Sequence, residues 1–301
     1  MAPSDSVVTL RADRAYVGVA PSIGGSIAHF HWDDGARRHD WLRPATADDL
    51  RAGAADRLAC FPLVPFSNRI RDGQFVFGGR AVKLPLNQWP QPHAEHGHGW
   101  QAAWTVTARN DDQLTLEYEH AAGAWPFPYL ARQEITVTCD ELRLTLSIEN
   151  RGTEAMPAGL GFHPYFPRTA GCRLVARVDA MWQTDPEVMP TALVPADPRL
   201  AAVDGMAIAG AAFDNAFTGW RREATILWPE TEAQLALDAD LPLGFLVLYT
   251  PAGEPYFCAE PVSHCTDAFN LAAQGRGDTG MLVLEPGTST SATVRLRPML
   301  A

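Results

Sequence analysis

From Leu142 to Asn150 the chain reads LRLTLSIEN, with Leu142, Leu144, Leu146 and Ile148 alternating with Arg143, Thr145, Ser147 and Glu149. Residues two apart share one face of a strand, so the pattern predicts a half-buried β-strand. Short runs of similar character recur in LTLEYEH, QEITVTCD, ATILWPE, GFLVLYTP, GMLVLEPG and TSATVRLRP. QFVFGGRAVKL predicts a hairpin turning at Gly78-Gly79, and Cys139-Asp140-Glu141 predicts the reversal between two of the strands. Helix-period patterns are scarce. TADDLRAGAADRL predicts one short helix, and residues 185–212 a long Pro/Ala-rich connection. With no repeat of 20–50 residues and no dividing linker, residues 1–301 read as a single all-β domain, a sandwich or barrel.

Composition narrows the partners. The chain has 301 residues, 47% of them hydrophobic and 20% charged, enough apolar material for a sizeable core. A formal net charge of −11 argues against nucleic acid or an anionic membrane surface as partner. The five cysteines are odd in number and include no CxxC pair, which argues against a disulfide framework and a structural zinc site. MAPSDSVVTLRADR has no basic end followed by an apolar core, and no apolar run approaches the ~20 residues of a membrane span. A reducing, cytoplasmic location is expected.

Four stretches place ionisable or amide groups in an aromatic, glycine-rich setting: FPLVPFSNRIRDGQF, HAEHGHGW, GLGFHPYF and MLVLEPGTST. His93, His96 and His98 invite a metal reading, but their spacing is not HExxH, and Gly97 and Gly99 oppose the helix that would align ligands. His96 is favoured as a ligand-binding group, because Gly97 lets the backbone approach closely. Arg69 follows the apolar run PLVPF, and a buried guanidinium must have partners, either a carboxylate or substrate oxygens. His163, between Phe162 and Pro164, is either a core histidine or a proton-transfer group suited to neutral pH. Glu285 ends an apolar strand and is either an exposed strand end or a base tuned by its surroundings. The chain contains no GxSxG, GxxxxGK[ST] or GxGxxG motif. The chemistry suggested is proton transfer without cofactor or metal.

Taken together and in order, PFSNRIRDGQFVFGGR, EHGHGW, GLGFHPYF, FDNAFTGW and VLEPGTS resemble segments of the aldose 1-epimerase (galactose mutarotase) family, bacterial branch. The resemblance extends from about Ile23 to Glu285. It implies a large antiparallel β-sandwich of the galactose mutarotase type with its site on a concave sheet face, and interconversion of the α and β anomers of a free sugar. Carried over, Glu285 is the general base at the C1 hydroxyl and His163 the general acid at the ring oxygen. Arg69, His96 and Asp214 hold sugar oxygens, and Trp100, Trp182 and Phe213 offer flat apolar surface. The chain departs from the family where Phe162 and Pro164 flank His163, and where FDNAF carries one acid rather than two. These departures bear on the identity of the sugar.

The expected partner is therefore a small-molecule sugar, bound by a monomer or homodimer. A sugar-phosphate mutarotase would want a cluster of basic residues at the pocket rim, and none is evident. A non-catalytic sugar binder or sensor on the same scaffold has no need of an acid and a base together. The roles of His93, His98, His264 and Asn270 are left open by the sequence.

Overall fold

The computed structural model describes residues 7–300. Two antiparallel sheets dominate it. The larger has eleven strands and runs, edge to edge, through Val8–Ala12, Ala15–Ala20, Ser26–Asp33, Cys60–Leu63, Gly161–Pro167, Tyr256–Val262, Phe245–Tyr249, Asp214–Thr218, Ala180–Thr184 and Pro190–Pro195, with Arg38–Asp40 beside Ser26–Asp33. The second has nine strands and centres on Leu142–Asn150 and Ser289–Leu300. One apolar cluster draws on both: Phe162, Phe166, Leu246 and Leu248 from the first, and Leu144, Leu146, Ile148, Leu237 and Val294 from the second. This is the antiparallel all-β architecture that the strand patterns predict.

The regular alternations fold as read. Leu142, Leu144, Leu146 and Ile148 are buried and their odd-numbered neighbours are not. The QFVFGGRAVKL hairpin forms from Gln74–Phe77 and Arg80–Lys83. The short helix spans Ala47–Ala52; Thr46 and Asp49 close a capping box at its start, and Gly53 ends it in the left-handed region.

One reading needs correction, and one strand escapes the patterns. Residues 185–212 are not a plain connection, because Pro190–Pro195 pairs with Ala180–Thr184 and Met206–Ala207 pairs with Arg173–Ala176. Pro190–Pro195 is the mostly exposed outer strand of its sheet, so it lacks the alternation that would reveal it, and an edge tolerates its prolines. Tyr256–Val262 is a central strand that the patterns miss. It is covered on both faces and carries Pro261 inside, so it shows no alternation, and its proline argues against a central strand.

Candidate active site

The central strands of the large sheet build the floor of a cavity of about 320 Å³. Cross-strand register aligns its groups. His163 lies opposite Phe61, and Glu260 lies opposite Val247. The pairs Gly161–Val262 and Tyr165–Cys258 bracket His163 against Glu260. Strand alternation explains the mixed character of GFHPYF: Phe162 and Phe166 join the core, while His163 and Tyr165 line the cavity.

His163 Nε2 lies 3.3 Å from Glu260 Oε1, and both side chains are almost completely buried. The imidazole stacks on Phe61 and Tyr165, and its Nδ1 has no hydrogen-bond partner. Burial pushes the His163 pKa down to about 3, with the Arg43 and Arg69 charges acting the same way. Burial also drives the Glu260 carboxyl well above the ordinary carboxylate range; Asp214 and Glu95 add to this and Arg69 opposes it. Both groups therefore favour their neutral forms, which leaves one proton on the pair near neutrality.

Arg69 is held over this floor by two carboxylates. The two-stranded ribbon Arg69–Ile70/Ala94–Glu95 sets Arg69 directly across from Glu95. Its Nε is 2.8 Å from Glu95 Oε1, an ion pair by distance that is not aligned along the N–H bond. The terminal nitrogens donate to the Asp214 carboxylate at 3.3 and 3.5 Å. Charges this buried persist only when paired. His96 follows the ribbon with φ +59°, and its Nδ1 accepts from the Asn68 backbone N–H at 3.0 Å. That bond leaves Nε2 as the N–H donor of the neutral ring, and burial lowers the His96 pKa well below the ordinary value. Gly97 permits the arrangement: its φ is +69°, and a Cβ there would overlap the Val64 carbonyl.

His163, Arg69, His96 and Asp214 thus converge on one cavity. Glu285 does not. It follows the short strand Leu282–Leu284, which pairs with Met156–Ala158 rather than with the large sheet, and it turns outward into Ser289–Leu300. Its side chain is exposed and does not line the cavity. Glu260 is the carboxylate beside His163, and the sequence reading passed over it. Glu260-Pro261 and Glu285-Pro286 both close apolar runs, so the signal was present twice, and burial separates the two. Trp100 lines the cavity, whereas Trp182 and Phe213 do not.

The remaining polar residues have structural partners. His93 Nδ1 accepts from the Asp72 N–H, and His98 pairs with His120 at 2.8 Å among Tyr118, Tyr129 and Trp125. His264 accepts from the Ser67 N–H and donates to the Cys265 carbonyl. Asn270 donates to the Gln74 carbonyl and to Asp267. The histidines of HAEHGHGW are therefore dispersed. Among the described residues, the set able to ligate a metal is instead His163, Cys258 and Glu260, whose ligand atoms lie within 4.8 Å of one another.

Residues 6–297 match the aldose 1-epimerase family. The uncharacterized protein YphB of Escherichia coli K12 is 32% identical over 282 residues, covering 91% of this chain and 92% of YphB. A crystal structure from Escherichia coli K12, provisionally described as an aldose 1-epimerase, superposes with a TM-score of 0.86 at 30% identity, covering 98% of this chain and 99% of the other. A galactose mutarotase-like protein from Clostridium acetobutylicum gives 0.88 at 20% identity, with 100% and 97% covered, and shares the fold. By sequence over nearly its whole length, and by a fold that agrees, the chain belongs to the aldose 1-epimerase family.

Proposed function

We propose that this chain interconverts the α and β anomers of a free, uncharged aldose, with Glu260 and His163 as its proton-transfer pair. The observation that carries the reading is the 3.3 Å approach of a buried imidazole to a buried carboxylate on the cavity floor. Ring opening removes one proton from the C1 hydroxyl and delivers another to the ring oxygen, with no electron or group transferred. A pair holding one proton supplies both needs. Moving that proton across the gap puts it on His163 and leaves Glu260 ionised, a form the Arg69 charge favours. Glu260 then takes the C1 hydroxyl proton while His163 protonates the ring oxygen, and the C1–O5 bond breaks. Rotation about C1–C2 presents the other face of the aldehyde, and the two groups exchange roles to close the ring.

In this reading Arg69, the His96 Nε2–H and Asp214, which line the same cavity, hold sugar oxygens, and Trp100 offers apolar surface beside them. The charge balance supports an uncharged substrate. Apart from the Glu260/His163 pair, which shares one proton, the acids Asp56, Glu95 and Asp214 line the cavity, while its one guanidinium, Arg69, is already held by two of them. Polarimetry on freshly dissolved α-glucose and α-galactose tests the reading: equilibration faster with protein than without is expected, and an unchanged rate would refute it.

A further inference from the structure

The chain has nine tryptophans, and eight of them are no more than 4% exposed. Trp89 is 92% exposed, and it lines the mouth of the cavity together with Gln88 and Gln91. An indole left in water forfeits the burial that holds its eight counterparts in place. The segment that carries it is anchored. The Asn87 side chain accepts from the Glu95 N–H at 2.7 Å and donates to the Glu95 and Gly97 carbonyls, on either side of His96. The Gln91 N–H closes a turn on the Gln88 carbonyl. The platform is therefore tied to the same backbone that positions Glu95 and His96.

We propose that Trp89, flanked by the Gln88 and Gln91 amides, is a subsite for a second sugar ring, so that the chain favours the reducing end of an oligosaccharide over a single aldose. The inference rests on the proposed reaction for its orientation. With the C1 hydroxyl and ring oxygen against His163 and Glu260, the opposite C3–C4 edge of the ring points to the mouth. A ring attached at O4 then meets the rim, where an indole face suits the C–H surface of a pyranose and the amides suit its hydroxyls.

Glucose, maltose and lactose test this, because all three present a glucose ring at the reducing end and two of them substitute its O4. Trp89→Ala should lower kcat/KM for maltose or lactose by about 5- to 10-fold, through KM, and leave that for glucose within about 2-fold. Trp89→Phe should restore most of the loss. As the one exposed indole, Trp89 also supplies the iodide-quenchable fluorescence. Maltose or lactose should protect that fluorescence more than glucose does, a readout independent of turnover. If glucose is not turned over at all, the proposed reaction fails, and fluorescence protection still decides for or against the platform. Equal losses with all three sugars, no loss with any, or an indole as quenchable with disaccharide as without would overturn the subsite.

Discussion

His163 Nε2 and Glu260 Oε1 face each other across 3.3 Å at the centre of the large sheet, and the space around them favours the neutral form of each. The reaction needs one proton on the pair, so activity should follow the window in which the pair holds one. Burial opposes a second proton on His163 and so lowers the acid boundary below the ordinary histidine value. It also opposes loss of the last proton, and so raises the alkaline boundary above the ordinary glutamate value. The pH profile of kcat/KM should be a broad bell with no acid limb near ~6.5. A limb there, absent from a His163→Asn control, would mean that His163 titrates as an ordinary imidazole.

Aldose 6-phosphates should be poor substrates. Beside the pair that shares one proton, the cavity presents the acids Asp56, Glu95 and Asp214 against the single guanidinium of Arg69, so a phosphate dianion meets repulsion without a free cation to receive it. Polarimetry with glucose and glucose 6-phosphate should show kcat/KM at least about 10-fold lower for the phosphate. Equal or faster turnover of the phosphate would contradict the charge argument.

Chelators should leave the rate unchanged or raise it. A metal on His163, Cys258 and Glu260 would occupy the two groups that must exchange protons with the sugar. Prolonged treatment with a strong chelator, followed by polarimetry in metal-free buffer, is the check. Activity lost on chelation and restored by zinc would show that the trio holds a required ion.

Gly159→Ala should destabilise the fold. A Cβ at this position would overlap the buried imidazole of His264, whose Nε2 accepts from the Ser67 N–H. Displacing the ring both overpacks the site and leaves a buried N–H unpaired, a cost of about 2–4 kcal/mol. Urea titration should show the corresponding drop in midpoint, and an unchanged midpoint would mean that the ring yields freely.

The strands with one wet face were legible, because alternation along LRLTLSIEN or the hairpin at Gly78-Gly79 records burial directly in residue type. Tyr256–Val262 was not, since a strand covered on both faces with Pro261 inside it carries no such record. Losing that strand lost Glu260 and left Glu285 as the visible carboxylate at an apolar strand end. Arg69 and Asp214 were singled out in segments 145 residues apart, yet only the folded chain brings them within hydrogen-bond reach. His163 was ambiguous between packing and chemistry because its strand serves both: the even-numbered aromatics Phe162 and Phe166 fill the core, while His163 lines the cavity.

Polarimetry of α-glucose with the Glu260→Gln and Glu285→Gln variants side by side tests the central assignment most directly. Glu260→Gln should cut the catalysed rate by at least about 10²-fold with the fold intact, and Glu285→Gln should stay within about 2-fold of the parent. Full activity in Glu260→Gln, or its loss in Glu285→Gln, would contradict the account.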